Sequence, residues 1–135
     1  MIRILVCCGG GFSSSYITEK MKKDIVEYGM DEEVSIEFLP FSLVLEKIDE
    51  VDIVVCCPHL NIYVKQLVGK HSLDKPIYIL PPRMYGHMDI REIYQDAVDL
   101  IALFKQGMPN PVHFEGEENI LRVQRICAYK HQKKA

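Results

Sequence analysis

Arg3-Ile4-Leu5-Val6-Cys7-Cys8-Gly9-Gly10-Gly11-Phe12-Ser13-Ser14-Ser15 is the stretch on which the fold turns. Arg3–Cys7, apolar after its first residue, reads as a strand buried on both faces, and not as the opening of a signal peptide. Three glycines break that strand, and a helix starts near Ser13–Ser15 with Ile17, Met21, Ile25 and Tyr28 on one face. Gly29 ends it. Working outward, Val34, Ile36 and Phe38 alternate with polar residues, the pattern of a half-exposed strand. Ser42–Glu50 reads as a short helix. Val51–Cys57 is a second continuous apolar run, stopped by Pro58. Leu60–Lys70 is helical by spacing, Ile77–Leu80 is a fourth strand, and Tyr85-Gly86 reads as a turn. Asp89, with Glu92 three residues on, then caps a long helix whose apolar face is Ile90, Ile93, Ala97, Ile101 and Phe104; Gly107 closes it.

Strands separated by helices imply an α/β fold, a three-layer sandwich whose four-stranded parallel sheet has helices on both faces. The two wholly apolar strands belong at the centre and the alternating one at an edge, which gives the order 2-1-3-4. The switch point then falls between the first and third strands, where ligands of open α/β sheets bind. Two loops open there, Cys8–Ser15 and Cys57-Pro58-His59.

The chain has 135 residues, 48% apolar and 26% charged, which suits one folded domain. A net charge of −3 argues against a general nucleic-acid binder. No apolar run approaches the length of a membrane span. A cytoplasmic protein is the expectation. Charge is uneven along the chain. Residues 1–106 hold 11 Lys and Arg against 16 Asp and Glu, whereas residues 107–135 hold 5 against 3. An acidic domain, 1–106, is thus expected to carry a basic extension, 107–135, behind Gly107, Pro109 and Pro111. In the extension Ile120, Leu121, Val123, Ile126, Cys127 and Tyr129 stand among Arg122, Arg125, Lys130, Lys133 and Lys134, a candidate amphipathic helix.

Cysteines stand at 7, 8, 56, 57 and 127. An odd count with two adjacent pairs is a poor disulfide framework, and neither a C-x-x-C nor His at ligand spacing supports a metal site. No cofactor is expected. Cys8 is different in kind. It ends a strand before Gly9, Gly10, Gly11, Phe12, Ser13, Ser14 and Ser15. Glycines let successive N–H groups form an anion nest. The helix N-terminus adds unpaired N–H groups and partial positive charge, and the serines add hydroxyls. The same field favours the Cys8 thiolate, so the pattern points to phosphocysteine chemistry. Cys7 faces the opposite way in an extended strand and reads as a small core residue. Cys56 and Cys57 read as small residues packed at a strand end, with a disulfide to Cys8 on oxidation as the alternative. Pro58 and His59 are candidate contacts from the second loop.

The segment ILVCCGGGFSSS resembles the opening of enzyme IIB of the lactose/cellobiose class of the bacterial sugar phosphotransferase system. The resemblance runs weakly through Val54–Leu60, where Cys57 and His59 depart from the family pattern, and through Tyr85-Gly86 and Asp89. It implies a four-stranded parallel sheet of order 2-1-3-4. It also implies a phosphocarrier whose acceptor is Cys8, charged by a phosphohistidine of enzyme IIA and discharged to a sugar in the membrane permease, enzyme IIC. Three other readings use this cysteine: a thiol redox protein pairing Cys8 with Cys7, Cys57 or another thiol, which no C-x-x-C supports, and two that share its loop. A low-molecular-weight phosphatase needs an Arg six residues after its cysteine, where Ser14 stands. A regulatory binding domain would keep the fold without the transfer.

Overall fold

The computed structural model describes residues 1–8 and 13–132. Its sheet has four parallel strands, β1 (Ile2–Cys8), β2 (Val34–Pro40), β3 (Ile53–Cys56) and β4 (Ile77–Ile79), in the order β2-β1-β3-β4. The helices are α1 (Ser13–Glu27), α2 (Val44–Lys47), α3 (Asn61–Lys70), α4 (Pro82–His87) and α5 (Ile90–Lys105). Side chains of β1 divide by the two-residue period of a strand. Ile4 and Val6 join Met21 and Ile25 of α1 and Ile90, Ile93, Ala97 and Leu100 of α5. Leu5 and Cys7 join Val44, Ile48 and Val64 on the other face. Both faces are therefore covered, and the sheet order is the one expected. β3 is buried at every residue, as a central strand must be, and β2 runs along one edge with Glu37 exposed.

Three local differences have physical reasons. Residues 41–50 form one short α-helix flanked by 3-10 turns, not a uniform helix. The expected turn at Tyr85-Gly86 lies inside α4, because Pro82 sits in the first turn, where proline's fixed φ and missing N–H cost nothing. Met88 then ends α4 in the left-handed region, with φ 45°. At α5, Asp89 accepts from the Arg91 N–H at 3.0 Å, as a cap should. Glu92 turns elsewhere: it accepts from the Ala128 N–H at 3.0 Å and lies 2.9 Å from His131 Nδ1.

That last contact belongs to the extension, which wraps the free edge of β4. Val112 N–H donates to the Ile77 carbonyl at 2.9 Å, and the Asn110 side chain accepts from Ile77 N–H at 2.8 Å and donates to Lys75 at 2.9 Å. An open strand edge is thereby satisfied. Val112 and Phe114 then join the core on the α1/α5 face, while Ile120 and Val123 pack on the opposite face. Two isolated 3-10 turns, Ile120–Arg122 and Tyr129–His131, stand in place of the amphipathic helix. A straight helix could not serve both faces of the sheet; the bends here include Gly116 at φ 82°.

Arg125 ties the wrap down. Its side chain is 3% exposed and forks onto Glu117 through Nε and Nη2, at 2.7 and 2.8 Å. Nη1 donates to Asp96 Oδ2 at 2.7 Å, and Nη2 to the Tyr78 hydroxyl at 3.0 Å. Tyr78 donates to Asp96 at 2.7 Å, and the Tyr129 N–H donates to its other oxygen at 2.8 Å. Phe114 stacks on Tyr129 with ring centroids 4.5 Å apart. Burial pushes the Tyr78 hydroxyl well above its usual pKa. Burial also pushes the Asp96 carboxyl up, against the pull of Arg125 and its other donors. The guanidinium stays charged because Glu117, Tyr78 and Asp96 outweigh its own desolvation. Among the described residues no buried side-chain polar atom lacks a partner.

Candidate functional site

The site is built where β1 and β3 end side by side. Cys8 is the last residue of β1, and its Cα is in register with Pro40 on the β2 side. On the β3 side Cys7 is in register with Cys56, and the Cys57 N–H donates to the Cys7 carbonyl at 3.2 Å. The next pair in that register is Cys8 and Cys57. Cys7 is wholly buried, as its place on the opposite face requires. Connections leave β1 toward β2 by way of α1, and β3 toward β4 by way of α3, so this is the switch point of the sheet.

α1 begins at Ser13, and its first turn carries no Asp or Glu. Its first N–H groups have no partner within the helix, and its dipole places partial positive charge at this end, five residues along the chain from Cys8. Gly9, Gly10, Gly11 and Phe12 lie outside the described residues, as do the side chains of Cys8, Ser13, Ser14 and Ser15.

The second loop is compact. Cys57 is extended, and Pro58 opens a 3-10 turn, Pro58–Leu60, that leads into α3. Pro58 and Leu60 are buried and His59 is exposed. The His59 ring meets Tyr85 edge-on, with centroids 6.0 Å apart. This contact was not legible along the chain, because it needs α4 to bring Tyr85 across from the end of β4. The Pro81-Pro82 pair directly after β4 was the available signal. Around the same end, three large side chains stand out in water: Tyr16 in the first turn of α1, 76% exposed, and Ile62 and Tyr63 in the first turn of α3, 66% and 57% exposed. All three follow directly on the loops after β1 and β3.

Among the described residues, no helix is long and apolar enough to cross a membrane, and no group of three or more His, Cys, Asp or Glu is placed to hold a metal ion. Comparison with protein families matches residues 3–96 to the model described as PTS system, Lactose/Cellobiose specific IIB subunit. The matched segment runs from β1 into α5 and takes in both loops; it stops short of the extension.

Proposed function

Because the chain belongs to the lactose/cellobiose-specific IIB subunit family of the sugar phosphotransferase system, we propose that it carries phosphate on Cys8 between a phosphohistidine donor and a sugar. The observation that carries this reading is the position of Cys8, at the carboxyl end of a central strand, five residues before the N-terminus of a 15-residue helix free of first-turn carboxylates. Cys8 thiolate would attack phosphorus on an enzyme IIA histidine. The S–P bond forms as the P–N bond breaks, and the released imidazole takes a proton. A sugar hydroxyl held by enzyme IIC would then attack the same phosphorus, forming O–P and breaking S–P; the hydroxyl gives its proton to a base of the permease or to water, and the thiolate is regenerated. In both steps the partner supplies the group on the far side of phosphorus, so this chain's task is to hold a dianion in line.

Gly9–Ser15 offer N–H and hydroxyl donors for the phosphoryl oxygens, with Pro58 and His59 across the loop. No Arg occurs between Arg3 and Arg83, and the Cys57-Pro58-His59 loop brings no carboxylate. Neither loop therefore carries the guanidinium fork or the acid with which a cysteine phosphatase turns over its intermediate. Exposed Tyr16, Ile62 and Tyr63 suit a protein partner that must cover the loop during transfer.

The test is to charge the chain with a phosphohistidine donor and follow the phosphate. A labile adduct on Cys8, absent in Cys8→Ser and discharged by the membrane component with sugar, is the expected result. Rapid release of phosphate from an aryl phosphate by the chain alone, lost in Cys8→Ser, would replace the carrier with a phosphatase. Failure to accept phosphate at all, with the fold intact, would favour a regulatory binding domain.

A further inference from the structure

Four of the five cysteines meet at the ends of two neighbouring strands, and the register divides them into unlike pairs. Cys7 and Cys56 are in register within the ladder; both are wholly buried, in the core on the α2/α3 face. Cys8 and Cys57 are one position further on. Cys57 belongs to the core on the α1/α5 face, the face to which the alternation of Ile4 and Val6 assigns position 8. β3 ends at Cys56, so Cys57 has left the ladder and opens the second loop. Its N–H bond to the Cys7 carbonyl, at 3.2 Å, still holds it level with Cys8. Parallel neighbours have Cα atoms about 4.7–4.9 Å apart, inside the range of about 4.4–6.8 Å that a disulfide spans.

We propose that Cys57 is the resolving thiol for Cys8, so that oxidation by a peroxide closes a Cys8–Cys57 disulfide and reversibly withdraws the phosphate acceptor. The inference rests on the reading of Cys8 as the reactive, phosphate-accepting thiol. In the first step Cys8 thiolate attacks one oxygen of hydrogen peroxide. The O–O bond breaks, Cys8 becomes the sulfenic acid, and hydroxide leaves. In the second step the Cys57 sulfur, giving up its proton, attacks the Cys8 sulfur, and the sulfenic oxygen departs as water. Two thiols have lost two electrons and the peroxide has gained them. A dithiol reductant returns both thiols by exchange. The field that favours thiolate at Cys8 for phosphate also favours its attack on peroxide, so a neighbouring thiol spares the acceptor from irreversible sulfinic acid. Cys7 and Cys56 are poorly placed for this, because both belong to the core on the opposite face of the sheet from Cys57 and are held within regular strand.

The full chain would be treated with hydrogen peroxide, quenched with an alkylating agent and mapped by peptide mass spectrometry, with phosphate acceptance measured alongside. A Cys8–Cys57 link, with Cys7 and Cys56 unlinked, is expected. Loss of acceptance should follow the link and be restored by dithiothreitol. In Cys57→Ala, Cys8 should pass on to sulfinic acid, and dithiothreitol should no longer restore acceptance. Linkage of Cys8 to Cys127, linkage of Cys7 to Cys56, or equal over-oxidation of Cys8 with and without Cys57 would overturn the proposal. Should Cys57→Ala fail to fold, the map of the unaltered chain decides alone. If the link forms but the reduced chain takes no phosphate, the thiol pair stands and the phosphocarrier reading falls.

Discussion

The carboxyl end of the sheet and the covered edge of β4 solve opposite problems with the same backbone. At the carboxyl end, β1 and β3 stop level with each other, and large side chains such as Tyr16 and Tyr63 are left in water. At the β4 edge the buried charges are paired: Arg125 answers Asp96, Glu117 and Tyr78, and Asn110 and Val112 bond to Ile77 of the strand. A surface that must meet partners in turn cannot be saturated with its own contacts. A buried charge cannot be left without them. The proposed phosphate site and the clamp are thus kept at separate ends and edges of one sheet, and each is expected to break without the other.

Removing residues 107–135 should have the largest effect. It tests whether 1–106 forms a unit by itself, as charge and the glycine-proline boundary suggest. It would strip Val112, Phe114 and Ile120 from the two cores and take Arg125 and the Tyr129 N–H away from Asp96. The expected outcome is loss of a cooperative melt; a truncated chain that melts like the full one would show that the wrap is an ornament. Arg125→Ala comes next. Removing one partner of a buried pair costs about 3–5 kcal/mol, read by urea unfolding. Limited alkylation at neutral pH should still label Cys8 first under native conditions, since the partners of Arg125 are Glu117, Met84, Asp96, Cys127 and Tyr78, none of them in the Cys57–His59 loop. If labelling shifts as much as stability, the two regions are not independent.

At the other region the sign of the comparison reverses. Tyr16→Ala combined with Tyr63→Ala should barely move the melt, because both side chains are mostly in water. An exposed aromatic anchor of a docking surface is worth on the order of 1–2 kcal/mol, so KM for the phosphohistidine donor should rise roughly fivefold to thirtyfold for each substitution alone, and further for the pair. An unchanged KM would move the docking surface elsewhere.

The smallest effect concerns the cap of α5. Asp89→Ala should cost about 1 kcal/mol at neutral pH. Burial pulls the Asp89 carboxyl up, but hydrogen bonds from the Arg91 side chain and N–H win and hold it below the ordinary value of 3.8. Desolvation likewise opposes, and the Arg3 N–H and guanidinium outweigh it, at Asp52. For a carboxyl lowered on folding, the stabilisation is complete above its ordinary pKa and lost as pH falls through the lowered value. The difference between Asp89→Ala and the unaltered chain should therefore shrink in urea titrations as pH is taken below about 4. A difference constant down to pH 2 would assign the loss to something other than the charged cap.

Much of this was legible along the chain. The continuous apolar runs around Leu5 and Val54, against the alternation at Val34, Ile36 and Phe38, pointed to the strand order, because wholly apolar strands need cover on both faces while the alternating one leaves a side in water. The serines marked the head of α1, and with the glycines after Cys8 they carry the proposal of a phosphate site at that end, because helix starts and anion nests need particular residues at adjacent positions. Local chemistry of this kind is written in neighbours. Asp96, Arg125, Glu92 and Tyr85 were not legible in the same way. Asp96 interrupts the apolar face of α5 beside Ile93 and Ala97, a sign that it needs a cation, yet nothing nearby says which cation answers it. The answer is 29 residues away at Arg125, as the contact of Glu92 is 36 residues away at Ala128. A periodic pattern reports which side of an element is buried, not what it is buried against. Only the folded chain decided that the basic extension is a clamp across both faces of the sheet, because only there do the desolvated charges find each other.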